Sequence, residues 1–307
     1  MRVPALGTRI LLALAAASLF SGMVAALISS EPGSLTELAP GVYFRKGELE
    51  HQGHCNNGVV VFNDFVVVID ANFPSGAEAC LADIRQVTDK PVRLVFDTHH
   101  HGDHAYGNPV WVSAGAVTVA HENVVQEMDR FEPLRWKQET AKRKDVAALG
   151  LRSAQPPIVT YPDRLVIDDG TQRLELLHFG TAHTRGDGFA YLPRHRILFT
   201  GDAVVNGPYN YMGDGDTHSW IGVIEALERL RVETVAPGHG PPADRSLLGK
   251  QKAFIRALHR EVALGLEAGK SLEELQKSIR LPDSVRLHVG RWFESQVAKV
   301  YSEKTTP

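Results

Sequence analysis

The densest group of chemically reactive side chains in the sequence is the stretch Thr98-His99-His100-His101-Gly102-Asp103-His104. It follows an apolar, β-branched stretch that is typical of a buried strand. Residues two apart share a side of an extended or loop backbone. His99 and His101 can therefore hold one metal ion while Asp103 and His104 turn toward a neighbouring one. The alternative is a surface histidine cluster that binds nothing.

Three later segments each combine a strand, a Gly-rich turn and one side chain of a metal-ligand type. These segments are Phe179-Gly180-Thr181-Ala182-His183, Leu198-Phe199-Thr200-Gly201-Asp202 and Val235-Ala236-Pro237-Gly238-His239. Glycine beside each ligand lets the backbone turn sharply where a strand ends. A single segment of this kind is more often structural, but four in this order favour a metal site. The chain has only two cysteines, Cys55 and Cys80, so the ligands must be imidazoles and carboxylates.

Composition narrows the class of protein. The chain has 307 residues, of which 33 are Lys or Arg and 36 are Asp or Glu, giving a formal net charge of −3. That balance offers no electrostatic basis for binding nucleic acid. With 43% apolar and 22% charged residues, the composition is that of a folded globular protein rather than a disordered chain.

The elements that would position these ligands occur in two rounds of strands and helices, which predicts one domain made of two similar halves. In the first round we expect strands at Val42–Phe44 and Val92–Phe96, a hairpin of Val59–Phe62 and Phe65–Ile69, and a helix at Ser75–Val87. We expect the second round to begin with a helix at Glu122–Leu149. In the second round we expect strands near 164–167, 173–177, 188–192 and 196–199, and helices at about 219–230, 243–268, 272–279 and 284–300.

The N-terminal segment has the pattern of an export signal. Arg2 and Arg9 precede the uncharged, mostly apolar run Ile10 to Ile28, and small residues at Val24-Ala25-Ala26 suit cleavage near Ala26. An uncleaved membrane anchor is the alternative, because about 19 apolar residues nearly suffice to span a bilayer.

We therefore expect residues 1–28 to be a signal peptide or N-terminal anchor, and residues 35–307 to be the catalytic domain with C-terminal helices. Both readings place the body of the protein outside the cytoplasm, periplasmic, secreted or anchored. In that compartment Cys55 and Cys80 either pair or remain buried thiols.

The motif H-x-H-x-D-H, followed by spaced His183, Asp202 and His239, resembles the metallo-β-lactamase superfamily. The resemblance runs from about Gly41 to Pro241 and includes Asp70 as an acidic strand end. It implies an α/β fold, an αββα sandwich with a two-metal site on one edge. It also implies a ligand set, in which the first zinc takes His99, His101 and His183, the second takes Asp103, His104 and His239, and Asp202 bridges them. Ligand type favours zinc but leaves iron and manganese open.

Two neighbouring zinc ions would make hydroxide available at neutral pH, and Asp103 would orient this nucleophile as the catalytic residue. The resemblance thus implies a hydrolase acting on a carbonyl in an ester, thioester, lactone or lactam. The loops Glu48–Asn57 and Gly207–Thr217 contain no Arg or Lys, so we expect a neutral or weakly anionic small-molecule substrate. We expect no nucleic-acid partner, and membrane contact only if the N-terminal segment stays uncleaved.

Two other functions remain alternatives. True β-lactamases of the superfamily typically have Cys or Ser at the position of Asp202, but one subgroup uses only His and Asp, and export would suit antibiotic hydrolysis. Iron-dependent persulfide dioxygenases use one metal site, whereas the residues for a second site are all present here. A non-catalytic module would be expected to lack ligands, and none is missing.

Other residues near the motif have weaker assignments. We expect His100 to point away from the ligands and His121 to cap or pack against the helix that follows it. His54 either approaches the site from an overhanging loop or is an ordinary structural histidine. Tyr209 and Tyr211 either lie on a surface loop or donate a hydrogen bond to a developing oxyanion.

Overall fold

The computed structural model describes residues 33–306, and the expected signal peptide or anchor at residues 1–28 lies outside this range. Within the described range, no helix is both long enough and apolar enough to cross a membrane.

The first sheet has seven strands arranged in chain order. They are β1 (Leu35–Ala39), β2 (Val42–Arg45), β3 (Asn57–Val61), β4 (Val66–Ile69), β5 (Val92–Phe96), β6 (Val117–His121) and β7 (Val159–Tyr161). The strands from β1 to β4 pair antiparallel, and those from β4 to β7 pair parallel. Because parallel strands point the same way, β4, β5 and β6 bring their carboxyl ends to one edge of the sheet.

The second sheet has six strands in the order β13-β12-β11-β10-β9-β8. They are β8 (Arg164–Asp168), β9 (Arg173–Leu177), β10 (Phe189–Leu192), β11 (Ile197–Phe199), β12 (Thr234–Ala236) and β13 (Ala243–Asp244). Only β11 and β12 pair parallel, and the other neighbours are antiparallel. The segments after β11 and β12 therefore leave the sheet on the same side.

Ten α-helices connect or flank these strands in the described range. They are α1 (Leu49–Gln52), α2 (Pro74–Val87), α3 (Gly102–Ala105), α4 (Asn108–Ser113), α5 (Glu122–Lys142), α6 (Lys144–Ala148), α7 (Thr217–Leu227), α8 (Ser246–Glu267), α9 (Leu272–Ser278) and α10 (Phe293–Thr305). Two short 3-10 helices span Gly201–Ala203 and Asp283–His288.

The layers are helix, sheet, sheet, helix. The two sheets pack face to face through a buried apolar layer that includes Val60 and Phe96 from the first sheet and Leu176 and Phe199 from the second. Helices α2 and α4 cover the outer face of the first sheet, and α7, α8, α9 and α10 cover that of the second. Strand β4 is buried along its whole length because both of its faces are covered. The predicted αββα sandwich is therefore confirmed.

The first sheet is formed by residues 35–161 and the second by residues 164–244. The boundary between the two expected rounds is therefore wrong, because the helical region expected to open the second round at Glu122–Leu149 lies between β6 and β7 of the first sheet. The expected helix at 243–268 begins only at Ser246, because Ala243 and Asp244 pair with β12 as an edge strand. The expected helix at 284–300 is wrong. It is divided into a 3-10 turn and α10, and a Cβ at the intervening Gly290 would lie 2.4 Å from the Pro208 carbonyl oxygen.

Candidate metal centre

Four strand ends bring the candidate ligands to one edge of the sandwich. The loop after β5 carries the histidine motif, the loop after β9 carries His183, the 3-10 turn after β11 carries Asp202, and the turn after β12 carries His239. In the turn after β12, glycine is required for space. A Cβ at Gly238 would lie 2.3 Å from Asp202 Oδ1, a distance that excludes any side chain there.

The first cluster consists of three imidazoles. His99 Nε2 lies 3.1 Å from His101 Nδ1, and His183 Nε2 lies 3.0 Å from the same atom. His99 and His183 are buried, and the His101 side chain is 13% exposed. The three nitrogens lie within 4.8 Å of one another, so one ion could contact all of them.

The second cluster joins Asp103, His104 and His239. His239 Nε2 lies 3.0 Å from Asp103 Oδ2, and His104 Nε2 lies 3.5 Å from the same oxygen. The Asp103 side chain is 24% exposed and is the most accessible of the seven candidate ligands. This carboxylate therefore faces the solvent side of the site.

Asp202 lies between the two clusters. Its Oδ1 is 3.5 Å from His104 Nε2, and its Oδ2 is 3.4 Å from His239 Nε2 and 3.8 Å from His183 Nε2. One carboxylate thus contacts members of both clusters, which is the arrangement that a bridging ligand needs.

The electrostatics of the two clusters differ. Burial and the neighbouring imidazoles lower the pKa values of His99 and His101 well below the ordinary range, and burial also lowers that of His183. The second cluster behaves oppositely. Burial disfavours charge on His104 and His239, but nearby acidic groups, including Asp202, raise both of their pKa values.

The donor set fits divalent metal ions. The first cluster presents uncharged imidazole nitrogens, and the second pairs imidazoles with carboxylates. His104 Nε2 and Asp202 Oδ1 are both buried and have no hydrogen-bond partner among the described residues. Buried polar atoms without partners are costly, and coordination to an ion would satisfy both. Nitrogen and oxygen donors without a thiolate are compatible with zinc.

A layer of polar groups lies behind the second cluster, next to His104. Its Nδ1 lies 3.0 Å from Asp70 Oδ2, and Asp70 Oδ1 accepts hydrogen bonds from the backbone and hydroxyl of Thr98. Cys55 and Cys80 are separate free thiols, both buried, so they form no disulfide in this structure. Burial raises the pKa of Cys55, which keeps its thiol protonated beside His104.

Asp214 is a contact that the sequence analysis did not assign. Its carboxylate accepts a 2.8 Å hydrogen bond from His101 Nε2, which leaves Nδ1 of the same ring facing the first cluster. It also lies 2.6 Å from Arg135 Nη1 and accepts a 2.9 Å bond from Nη2. Asp214 follows no strand and has no motif around it, so nothing in the sequence distinguished it from the other loop acids.

A cationic side chain lies near the site. The loops Glu48–Asn57 and Gly207–Thr217 contain no Arg or Lys, but Arg135 reaches the site from α5. Its side chain is 27% exposed and also lies 3.5 Å from Glu132. His100 points away from the ligand clusters, as predicted, and its Nε2 lies 3.2 Å from Arg135 Nη1.

Both tyrosines lie beside ligand histidines, whereas His121 and His54 bond elsewhere. Tyr211 is part of the site, because its carbonyl oxygen accepts a 2.9 Å bond from His183 Nδ1 and its ring lies 5.6 Å from that of His101. The Tyr209 ring lies 5.8 Å from that of His239. His121 caps α5 through Nδ1, as expected. His54 instead forms a hydrogen bond with Ser75, with 2.9 Å between Nε2 and Oγ.

Comparison with known proteins gives a consistent family. The family model for the metallo-beta-lactamase superfamily matches residues 52–239. A linear primary-alkylsulfatase from a Pseudomonas species is 24% identical over 240 residues, covering 66% of this chain and 45% of that protein. An acyl-coenzyme A thioesterase from Gallus gallus is 30% identical over 159 residues, covering 48% of this chain and 56% of the relative. The chain thus spans about half the length of these curated relatives.

Two solved structures share the fold. A metallo-beta-lactamase from Pontibacter korlensis has a TM-score of 0.59 at 24% identity and covers 73% of this chain and 98% of its own. The inverting sec-alkylsulfatase Pisa1 from a Pseudomonas species has a TM-score of 0.69 at 18% identity, covering 89% of this chain and 50% of its own. Together with the family match over more than half of the sequence, these likenesses show that the chain belongs to the metallo-beta-lactamase superfamily of metal-dependent hydrolases.

Proposed function

We propose that this protein is an exported, dinuclear zinc hydrolase that cleaves a carbonyl compound, namely an ester, thioester, lactone or lactam. The observation that carries the proposal is the contact of Asp202 with both ligand clusters, at 3.5 Å to His104 and 3.8 Å to His183. A single-metal enzyme would not need the second cluster of Asp103, His104 and His239.

In this proposal His99, His101 and His183 hold one ion, Asp103, His104 and His239 hold the other, and Asp202 contacts both. When bound, the two ions polarise the substrate oxygen and lower the pKa of a water molecule toward neutrality.

Asp103 is suited to orient the attacking water. Its carboxylate is the most accessible of the candidate ligands, and its pKa is lowered because His104 and His239 outweigh the effect of burial. An ionised carboxylate accepts a hydrogen bond from the water and holds it toward the substrate. Tyr209 and Tyr211, whose rings face ligand histidines, would enclose the substrate beside it.

The thioesterase likeness supports a carbonyl substrate, because thioester cleavage is an acyl transfer to water. Hydrolysis of β-lactams belongs to the same reaction class. The all-His/Asp ligand set is compatible with it, and export would bring the enzyme to the antibiotic. Export itself is proposed from residues 1–28, which lie outside the described range.

Sulfate ester hydrolysis is a second candidate. The likeness to the alkylsulfatase Pisa1 covers 89% of this chain, whereas the likeness to the Pontibacter lactamase covers 73%. Arg135 supplies a partly exposed guanidinium near the site, although Asp214 and Glu132 offset its charge. An anionic ester would need such a cation for binding.

The test is a substrate panel with zinc-loaded enzyme, made of a chromogenic cephalosporin, a lactone, a thioester, a bis-aryl phosphate and a primary alkyl sulfate. We expect a carbonyl substrate to be turned over fastest and the phosphodiester poorly. Metal analysis should give two zinc ions per chain. One iron per chain, or a preference of more than about tenfold for a phosphate or sulfate ester, about 1.4 kcal/mol in barrier, would contradict the proposal.

A further inference from the structure

Residues 207–217, here called the support loop, connect the Asp202 turn to α7 and contact two of the three histidines in the first cluster. The Tyr211 carbonyl accepts the Nδ1 hydrogen of His183, and the Asp214 carboxylate accepts the Nε2 hydrogen of His101. The position of this loop therefore decides which ring nitrogens of His101 and His183 face the cluster.

The C-terminal helices hold the support loop at Asn210, which is 1% exposed. Gln251 of α8 donates a short hydrogen bond to Asn210 Oδ1, and Gln296 of α10 donates one to the Asn210 carbonyl oxygen. Asn210 Nδ2 lies 3.4 Å from Nδ1 of His288. All four side chains are buried, so one loop residue is held from three C-terminal elements.

The C-terminal elements contact the loop at two more points. Next to Asn210, the ring of Trp292, the residue before α10, packs edge-on against Tyr211 with centroids 5.5 Å apart. At its end, the Thr217 backbone N–H donates a 3.1 Å bond to Glu303 of α10, and the Thr217 hydroxyl lies 2.6 Å from Nε2 of His259 in α8. The loop is thus held on both sides of Asp214.

The buried polar side chains Asn210, Gln251, His288 and Gln296, here called the Asn210 cluster, stabilise the core less than apolar side chains would. Gln251 Oε1, Gln296 Oε1 and His288 Nε2 are buried and have no hydrogen-bond partner among the described residues. A partly satisfied polar network is less stable than apolar packing of the same volume. Apolar side chains would hold the helices together more firmly, but they could not bond the Asn210 carbonyl and amide and so define the path of the loop.

We infer that α8, the 3-10 turn before α10, and α10 are positioning elements of the metal centre, acting through Asn210 on the support loop and hence on His101 and His183. This inference rests on the proposed function in one respect, that these histidines bind the first ion. It assigns Asn210, Gln251 and Gln296, none of which is a candidate ligand, as positioning residues.

The test measures stepwise zinc affinity by competition with a chromophoric chelator, which needs no substrate. The variants are Asn210→Ala and the milder Gln251→Leu, which removes one hydrogen bond while keeping the volume. Leu275→Ala is the control, because Leu275 is buried against α8 at Gly265 and its truncation removes apolar packing while leaving the hydrogen bonds to Asn210 in place. The binding step that His101→Ala abolishes identifies the first ion.

We expect Asn210→Ala to lower the affinity for the first ion about tenfold or more, which is the typical effect of losing a residue that supports a metal ligand. The affinity for the second ion should fall much less. Cobalt spectra of the variant should also change, because the geometry of the imidazole ligands changes. Leu275→Ala should lower thermal stability and leave both affinities at the wild-type values.

The inference is wrong if Asn210→Ala lowers only thermal stability, as the control does. If that variant does not fold, Gln251→Leu decides in the same way, and an unchanged first-ion affinity refutes the positioning role. A wild-type protein that binds no zinc would instead contradict the proposed function, so the two failures are distinguishable.

Discussion

Replacing Asp214 tests whether a residue outside the ligand motif controls the metal centre. In the wild type the Asp214 side chain is 4% exposed, and it binds His101 at 2.8 Å and Arg135 at 2.6 Å. Burial works against its charge, but the hydrogen bonds from His100, His101 and Arg135 hold its pKa well below the usual range. Asp214 is therefore ionised at every pH used to study hydrolysis, and its contribution is lost only in strong acid.

The expected size of the effect follows from these contacts. Losing the carboxylate frees the His101 ring to rotate and to exchange tautomers, and loss of such a partner typically weakens metal affinity by about 10- to 100-fold. That factor corresponds to about 1.4–2.7 kcal/mol. Breaking a fully buried ion pair costs about 3–5 kcal/mol of folding free energy. Arg135 is 27% exposed and keeps Glu132, so we expect Asp214→Ala to destabilise folding by less than this.

The assay is zinc competition at neutral pH on Asp214→Ala and Asp214→Asn, with urea unfolding measured on the same samples. The asparagine oxygen can still accept the His101 hydrogen, so Asp214→Asn should lose about tenfold or less in affinity for the first ion. Asp214→Ala should lose more, and the second ion should change little in either variant. Wild-type affinity for the first ion in Asp214→Ala would refute the reasoning.

Five further predictions concern the metal site, buried residues elsewhere in the fold, and the N-terminus. A chelator should abolish hydrolysis and lower the melting temperature, and added zinc should restore both; unchanged activity in metal-free protein would contradict a metal enzyme. Asp202→Ala should lower the affinity for the second ion more than that for the first, because three histidines still hold the first ion. His101→Ala should do the reverse. Full metal content in both variants would show the assignment to be wrong. Burial and the adjacent imidazole lower the pKa of His121 to about 4, so its contribution to stability is full above about pH 6.5 and declines toward pH 4. The free energy of unfolding in urea should therefore fall less steeply on acidification in His121→Asn than in the wild type. An identical pH dependence in the two proteins would refute this. Trp220 is fully buried and donates a 2.7 Å bond to a backbone carbonyl, so Trp220→Ala should cost about 3–5 kcal/mol in urea unfolding. Secreted protein should begin within a few residues of position 27, and finding the full-length chain soluble in the cytoplasm would refute export.

Much of the fold was predictable because it is encoded locally. The hairpin of β3 and β4, helix α2 and strand β5 follow from β-branched runs, turn residues and helical spacing, each within a short window. Strand β7 (Val159–Tyr161) was missed because its three residues show no alternation, two being exposed and one buried. The break between the 3-10 turn and α10 was missed because Gly290 packs against Pro208, which is distant in sequence.

The sequence by itself determined the candidate ligands and their order, since each stands beside a strand end and a glycine whose local geometry can be read from a few residues. It also indicated the family, because the spacing of these segments is characteristic of the metallo-β-lactamase superfamily. Only the tertiary structure decided which ring nitrogen of His101 faces the cluster, because that depends on Asp214, which is 113 residues away. The tertiary structure also places Arg135 beside Asp214 and Asn210 against the C-terminal helices. These contacts depend on how elements distant in sequence pack and on charge pairs between them. Neither leaves a recognisable pattern in the sequence around the residues involved.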